Sequence, residues 1–209
     1  MSDLTYEAND RNVKYETFEW DNTWLVHADK PQMPRILYIG DSISIGIRRG
    51  FTAQAGDKVH FDQFATSRGI DNPFFMDVLT PFIKQEARRD AVFFNSGLHG
   101  WHLNDGEEYK EYYEKMLSYL KNQITDVPLI LSLTTGLRDE QRNERVKARN
   151  DVVKEIAERM GLPVVDLYSV SIHNLDLLDA DGVHFKPDGY AKLSAEVIES
   201  LKKAVPSIL

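Results

Sequence analysis

From Arg35 onward, short apolar runs alternate with longer stretches whose apolar positions recur every three or four residues. The runs RILYI, VHFDQF, AVFFN, PLILSL and PVVDL are rich in β-branched and aromatic residues, as buried strands are. Within residues 106–124, Tyr109, Tyr113, Met116, Leu117 and Leu120 fall on one helical face. Within residues 143–161, Val146, Val153, Ile156, Ala157 and Met160 do the same, and Gly161 is a natural stop. Asn150 lies on that stripe and reads as a satisfied polar contact at its edge. A last helix follows the Pro187-Asp188-Gly189 turn and carries Leu193, Val197 and Leu201 inward. Strands alternating with helices predict parallel pairing with right-handed crossovers, and strands apolar throughout predict cover on both faces. The expected fold is α/β: a flavodoxin-like, three-layer α/β/α sandwich on about five parallel strands.

The first 34 residues differ: they are polar, aromatic and weakly periodic. They read as an extension, 1–34, packed on a single domain, 35–209. Phe18, Trp20 and Trp24 suggest a strap over apolar surface, and QRNERVKARN suggests a solvated helix face. Bulk properties narrow the partners. With 25 Lys+Arg against 33 Asp+Glu the net charge is −8, which argues against nucleic acid. No apolar run approaches the ~20 residues of a membrane span, so no membrane partner is expected. The polar, acidic start has no basic segment followed by an apolar one, so a cytoplasmic address is expected, with a secreted mature form as the alternative. The absence of cysteine removes disulfides, thiolate metal sites and cysteine nucleophiles. Oligomeric state is not encoded in any pattern of this kind.

In open parallel sheets, ligands bind beyond the carboxyl ends of the strands. Those positions carry Gly40-Asp41-Ser42, Ser67-Arg68-Gly69, Asn95 through His99, Thr134-Thr135-Gly136 and, late in the chain, Asp181 and His184. A serine hydroxyl needs a base to take its proton, and neutral imidazole suits that task near pH 7. The imidazole needs a carboxylate to fix its tautomer. Asp181, three residues before His184, has the spacing for it; Asp176 and Asp179 are rivals. Ser42 as a plain helix cap is the competing reading. The Ser42 and Gly69 N–H groups are candidate oxyanion donors, with a third expected from the loop after AVFFN. Arg68, Trp101 and His102 are candidate substrate contacts. His99, His102 and Asp105 are spaced too loosely to predict a metal.

These residues resemble the SGNH (GDSL-type) hydrolase superfamily over about Arg35–Val205. IGDSIS matches its nucleophile block, SRGI its oxyanion-glycine block, and DGVHFKPDGY its Asp-x-x-His block with the turn into the last helix. The third block departs: where the superfamily shows Gly-x-Asn-Asp, this chain reads FFNSGLHGWH, which sets His99 at the oxyanion position and leaves Asn95 as its rival. The resemblance implies a serine esterase with Ser42 as nucleophile, His184 as base, Asp181 as orienting acid and no cofactor. The superfamily's substrates include carbohydrate acetates, lipid esters and thioesters. The compact chain and the Trp101 side chain favour a small acyl group, acetyl, on a carbohydrate. The alternatives are a degenerate carbohydrate-binding protein on the same fold or a lipid or thioester acyl hydrolase. A nucleotide-binding fold is disfavoured, because GDSISIG is no phosphate loop.

Overall fold

The computed structural model describes residues 13–85 and 89–209. Five strands run parallel: β2 (Arg35–Gly40), β3 (His60–Thr66), β4 (Ala91–Phe94), β5 (Leu129–Ser132) and β6 (Val164–Val165). A sixth, β1 (Asp21–Trp24), lies antiparallel on β3, giving the order β1-β3-β2-β4-β5-β6. The apolar runs thus form the expected sheet, and the N-terminal extension adds an edge strand that its polar sequence conceals.

Alternation along the strands decides which helices cover which face. Ile36 and Tyr38 of β2 and Phe93 of β4 join one core with Ile47 and Phe51 of α1 (Ser42–Ala55) and with Leu193, Val197 and Leu201 of α6 (Pro187–Ala204). Leu37, Ile39, Val92 and Phe94 point the other way. There they meet α2 (Phe74–Gln85), α3 (Glu107–Gln123) and α4 (Glu140–Met160). The short helix α5 (Leu167–Ile172) follows β6. Helix α2 carries Pro81 in its interior, which hides it from a pattern reading; burial of Phe75, Leu79, Phe82 and Ile83 offsets the lost backbone bond.

Two expectations need correction. The charge run 141–150 is not simply a solvated face: Arg149 is fully buried and Asn143 and Asn150 are buried with it. Asn150 is satisfied, exchanging two hydrogen bonds with the Thr134 backbone. Nor do Phe18 and Trp24 of the extension act as a buried strap, since Phe18 is 80% exposed and Trp24 50%, while Trp20 is half-buried with its ring edge against His99. The described part of the extension, residues 13–34, is held by polar contacts instead, and its first twelve residues lie outside the described ones. Among the described residues, no helix is long and apolar enough to cross a membrane.

Candidate active site

The turn from β2 into α1 places Ser42 at the first helical residue, but the cap is Asp41. Asp41 Oδ1 accepts the Ile43 N–H at 2.9 Å, and its carbonyl accepts the Ser44 hydroxyl at 2.6 Å. The Ser42 hydroxyl is therefore free of capping duty. Burial pushes the Asp41 carboxyl up, against the opposing influence of His99, the Ile43 N–H and His184.

Ser42 Oγ lies 2.7 Å from His184 Nε2, and His184 Nδ1 lies 2.6 Å from Asp181 Oδ2. The other Asp181 oxygen accepts the Val183 and His184 N–H groups, each at 2.9 Å. Burial raises the Asp181 carboxyl, but hydrogen bonds from the His184 ring and those two amides, with the imidazole charge, outweigh it and hold the group at about 2. An ionised Asp181 keeps a proton on Nδ1, so Nε2 is left to accept from Ser42. Of the rival carboxylates, Asp179 bonds the Ala180 N–H at 2.7 Å instead. The loop is pinned from outside: Arg138 donates its N–H to Gly182 O at 3.0 Å, and its guanidinium reaches Ala180 O and Leu178 O. Gly182 itself sits at φ +72°, where a side chain would be strained.

The oxyanion candidates gather on the loops after β3 and β4. A Cβ on Gly69 would lie 2.7 Å from Asp71 Oδ1 and 2.9 Å from Gly100 Cα, so only glycine lets the two loops approach. Asn95 is committed to the sheet, its side-chain amide donating to Ser132 O at 2.8 Å and to Thr134 Oγ1 at 3.1 Å. The His99 ring lines a crevice with Gly40, Asp41 and Arg68, and its Nδ1 is 3.6 Å from Glu16 Oε1.

The candidate substrate contacts are already engaged within the chain. Arg68 pairs with Asp21 at 2.9 Å and His102 with Asp71 at 2.7 Å. Three guanidinium carbons, of Arg142, Arg145 and Arg149, lie 4.7–5.0 Å from the Trp101 ring centre. Asp105 accepts from both Arg145 and Arg149; burial acts to raise its carboxyl, yet those arginines hold it low. His99, His102 and Asp105 thus point to separate partners, and no group of three or more metal-ligating side chains forms among the described residues.

Two features escape a reading of the sequence. Arg149 reaches from α4 beneath the third block and donates to Gly97 O, His99 O and Gly100 O at 2.7–3.1 Å. Its place on the Val146–Asn150–Val153 stripe is the signal that marks it as buried. The segment Glu16–Asp21 crosses the same loops: Gly100 N–H donates to Glu16 at 2.9 Å, Ser67 Oγ to Glu19 at 2.7 Å and Thr66 Oγ1 to Asp21 at 2.7 Å. No signal in one sequence links those acids to loops so distant.

Residues 38–192 match the sequence model of the GDSL-like lipase/acylhydrolase family. A search of curated proteins found no match. Among solved structures, the chain is similar to a member of the lipolytic protein G-D-S-L family from Veillonella parvula, at 17% identity and TM-score 0.65, over 79% of this chain and 97% of that one. An acetyl esterase variant with a bound acetate ion is similar at 14% identity and TM-score 0.65, over 85% and 100%. An acetylxylan esterase from Geobacillus stearothermophilus is similar at 16% identity and TM-score 0.61, over 80% and 93%.

Proposed function

Because this chain belongs to the GDSL-like lipase/acylhydrolase family and is an SGNH-type ester hydrolase, we propose that Ser42 is its nucleophile and that the ester it cleaves carries a small acyl group, acetyl, on a carbohydrate. The observation that carries the assignment is the continuous line from Ser42 through His184 to Asp181, at 2.7 and 2.6 Å. In this reading His184 Nε2 takes the hydroxyl proton as Ser42 Oγ attacks the ester carbonyl. His184 then returns the proton to the departing alkoxide, leaving an acyl-serine. Water, activated by the same imidazole, attacks that ester and releases the acid. The Ser42 and Gly69 N–H groups, which have no hydrogen-bond partner among the described residues, receive the oxyanion. We assign the third donor to His99 over Asn95, whose amide is spent on β5 and the loop after it.

Support for acetyl comes from resemblance in shape to acetyl and acetylxylan esterases. The pocket lined by Asp41, Ile43 and Ser44, next to Ser42 in the chain, has room for only about 10 Å³, too little for a long acyl chain. A serine-reactive phosphonate should label Ser42, as located by mass spectrometry. Ser42→Ala should lose at least about 10³-fold in kcat on an activated acetyl ester while keeping its fold. Undiminished turnover in that variant would end the assignment, and a preference for long acyl chains would end the acetyl reading.

A further inference from the structure

Beside Asp181 opens a cleft of about 280 Å³, lined by Leu137, Arg138, Asp139, Arg142 and the Ala180–Val183 turn. Its wall includes Asp181, whose carboxylate bonds the His184 ring, which sets the cleft at the histidine end of the Ser42–His184–Asp181 line. That is the alcohol side of an ester, because the imidazole that takes the serine proton must hand it to the leaving oxygen. The cations of this cleft stand apart from those around them. Along α4, Arg145 and Arg149 pair with Asp105, Lys147 with Glu144, Lys154 with Asp151 and Arg159 with Glu114. Arg142 has no carboxylate partner among the described residues. Its guanidinium lies 5.0 Å from the Trp101 ring centre, which limits its freedom. The Arg138 guanidinium likewise meets backbone carbonyls and no carboxylate among the described residues. Of the two acids in the wall, Asp139 caps α4, its Oδ1 accepting the Arg142 backbone N–H at 2.7 Å, and both oxygens of Asp181 serve the His184 turn. Two guanidinium groups without a carboxylate partner among the described residues thus line one cleft beside Asp181.

We propose that this cleft holds the alcohol half of the ester and that Arg142, with Arg138 beside it, binds a carboxylate carried there. The substrate class is then an O-acylated acidic saccharide. A guanidinium fork matches a planar carboxylate in a way no neutral hydroxyl does. The inference rests on Ser42 as nucleophile, and it adds a charge requirement which that assignment lacks.

The test is a matched pair: an O-acetylated galacturonic acid glycoside and its carboxyl methyl ester, alongside an activated acetyl ester. The unaltered protein should favour the free acid by about tenfold in kcat/KM, with a preference that weakens as salt rises. Arg142→Gln should bring the two sugar esters close to parity by losing kcat/KM on the acid alone, and Arg142→Lys should recover part of the preference. Equal rates on the pair, or a preference that survives Arg142→Gln, would overturn the proposal. Turnover of the activated ester with neither sugar ester accepted would overturn it while leaving Ser42 in place. Inertness toward all three would remove both.

Discussion

Asp181 shows how much one side chain depends on its backbone. Four residues of loop give it two amide donors and one ring donor, and their sum outweighs the cost of partial burial. A carboxyl depressed from 3.8 to about 2 contributes stability that is complete above its unfolded value and is lost as pH falls through about 2. The Asp181 carboxyl carbon should therefore stay at its ionised chemical shift in an NMR titration down to about pH 3, and a midpoint close to 4 would contradict the hydrogen bonding described. Asp181→Asn should reduce kcat by roughly 10²–10⁴-fold, because the amide no longer fixes the proton on Nδ1. The carboxylate's place was readable in the sequence, since Asp-x-x-His spacing is local. The cap at Asp41, which leaves the Ser42 hydroxyl to His184, was not, because both residues are good caps by type.

Helix α4 is as much part of the site as the loops it supports. Arg149, fully buried, ties the third-block loop to the helix through three carbonyls and shares Asp105 with Arg145. Removing it leaves three carbonyls short of a donor and Asp105 with one arginine. Arg149→Met should thus cost about 3–5 kcal/mol in urea denaturation. Arg149→Lys should cost less in stability, yet it should still lower kcat, because a single ammonium cannot reach all three carbonyls at once. A stability change within about 0.5 kcal/mol would place the loop's support elsewhere. The apolar stripe of α4 was plain from its spacing, but the charged residue on it was read as solvated. Hydropathy cannot tell a buried arginine with four hydrogen bonds from one in water.

At the scale of the whole molecule, the N-terminal segment closes one side of the sheet. It supplies β1, and Asp62 in the buried middle of β3 accepts the Val26 N–H at 2.8 Å while pairing with Arg35 at 2.7 Å. Deleting residues 1–24 would expose β3 as an edge and strip partners from Thr66, Ser67, Arg68 and Gly100. The melting temperature should fall by at least about 5 °C, measured by calorimetry; an unchanged value would mean that these contacts add nothing net. The alternation of apolar runs and helical stripes was enough to determine a parallel three-layer sheet. Short motifs with tight internal spacing were enough to mark Ser42, Gly69, Asp181 and His184 as candidates, of which Ser42, His184 and Asp181 meet in one hydrogen-bonded line. Both signals are local, carried by residues a few positions apart. What the tertiary structure alone decided is everything joined across the chain: Arg149 under the third block, Asn95 turned into the sheet, Arg68 taken by Asp21, and Arg142 brought to the cleft beside Asp181. Pairings of that kind depend on where the crossovers set down elements dozens of residues apart, and no periodicity within a single element encodes them.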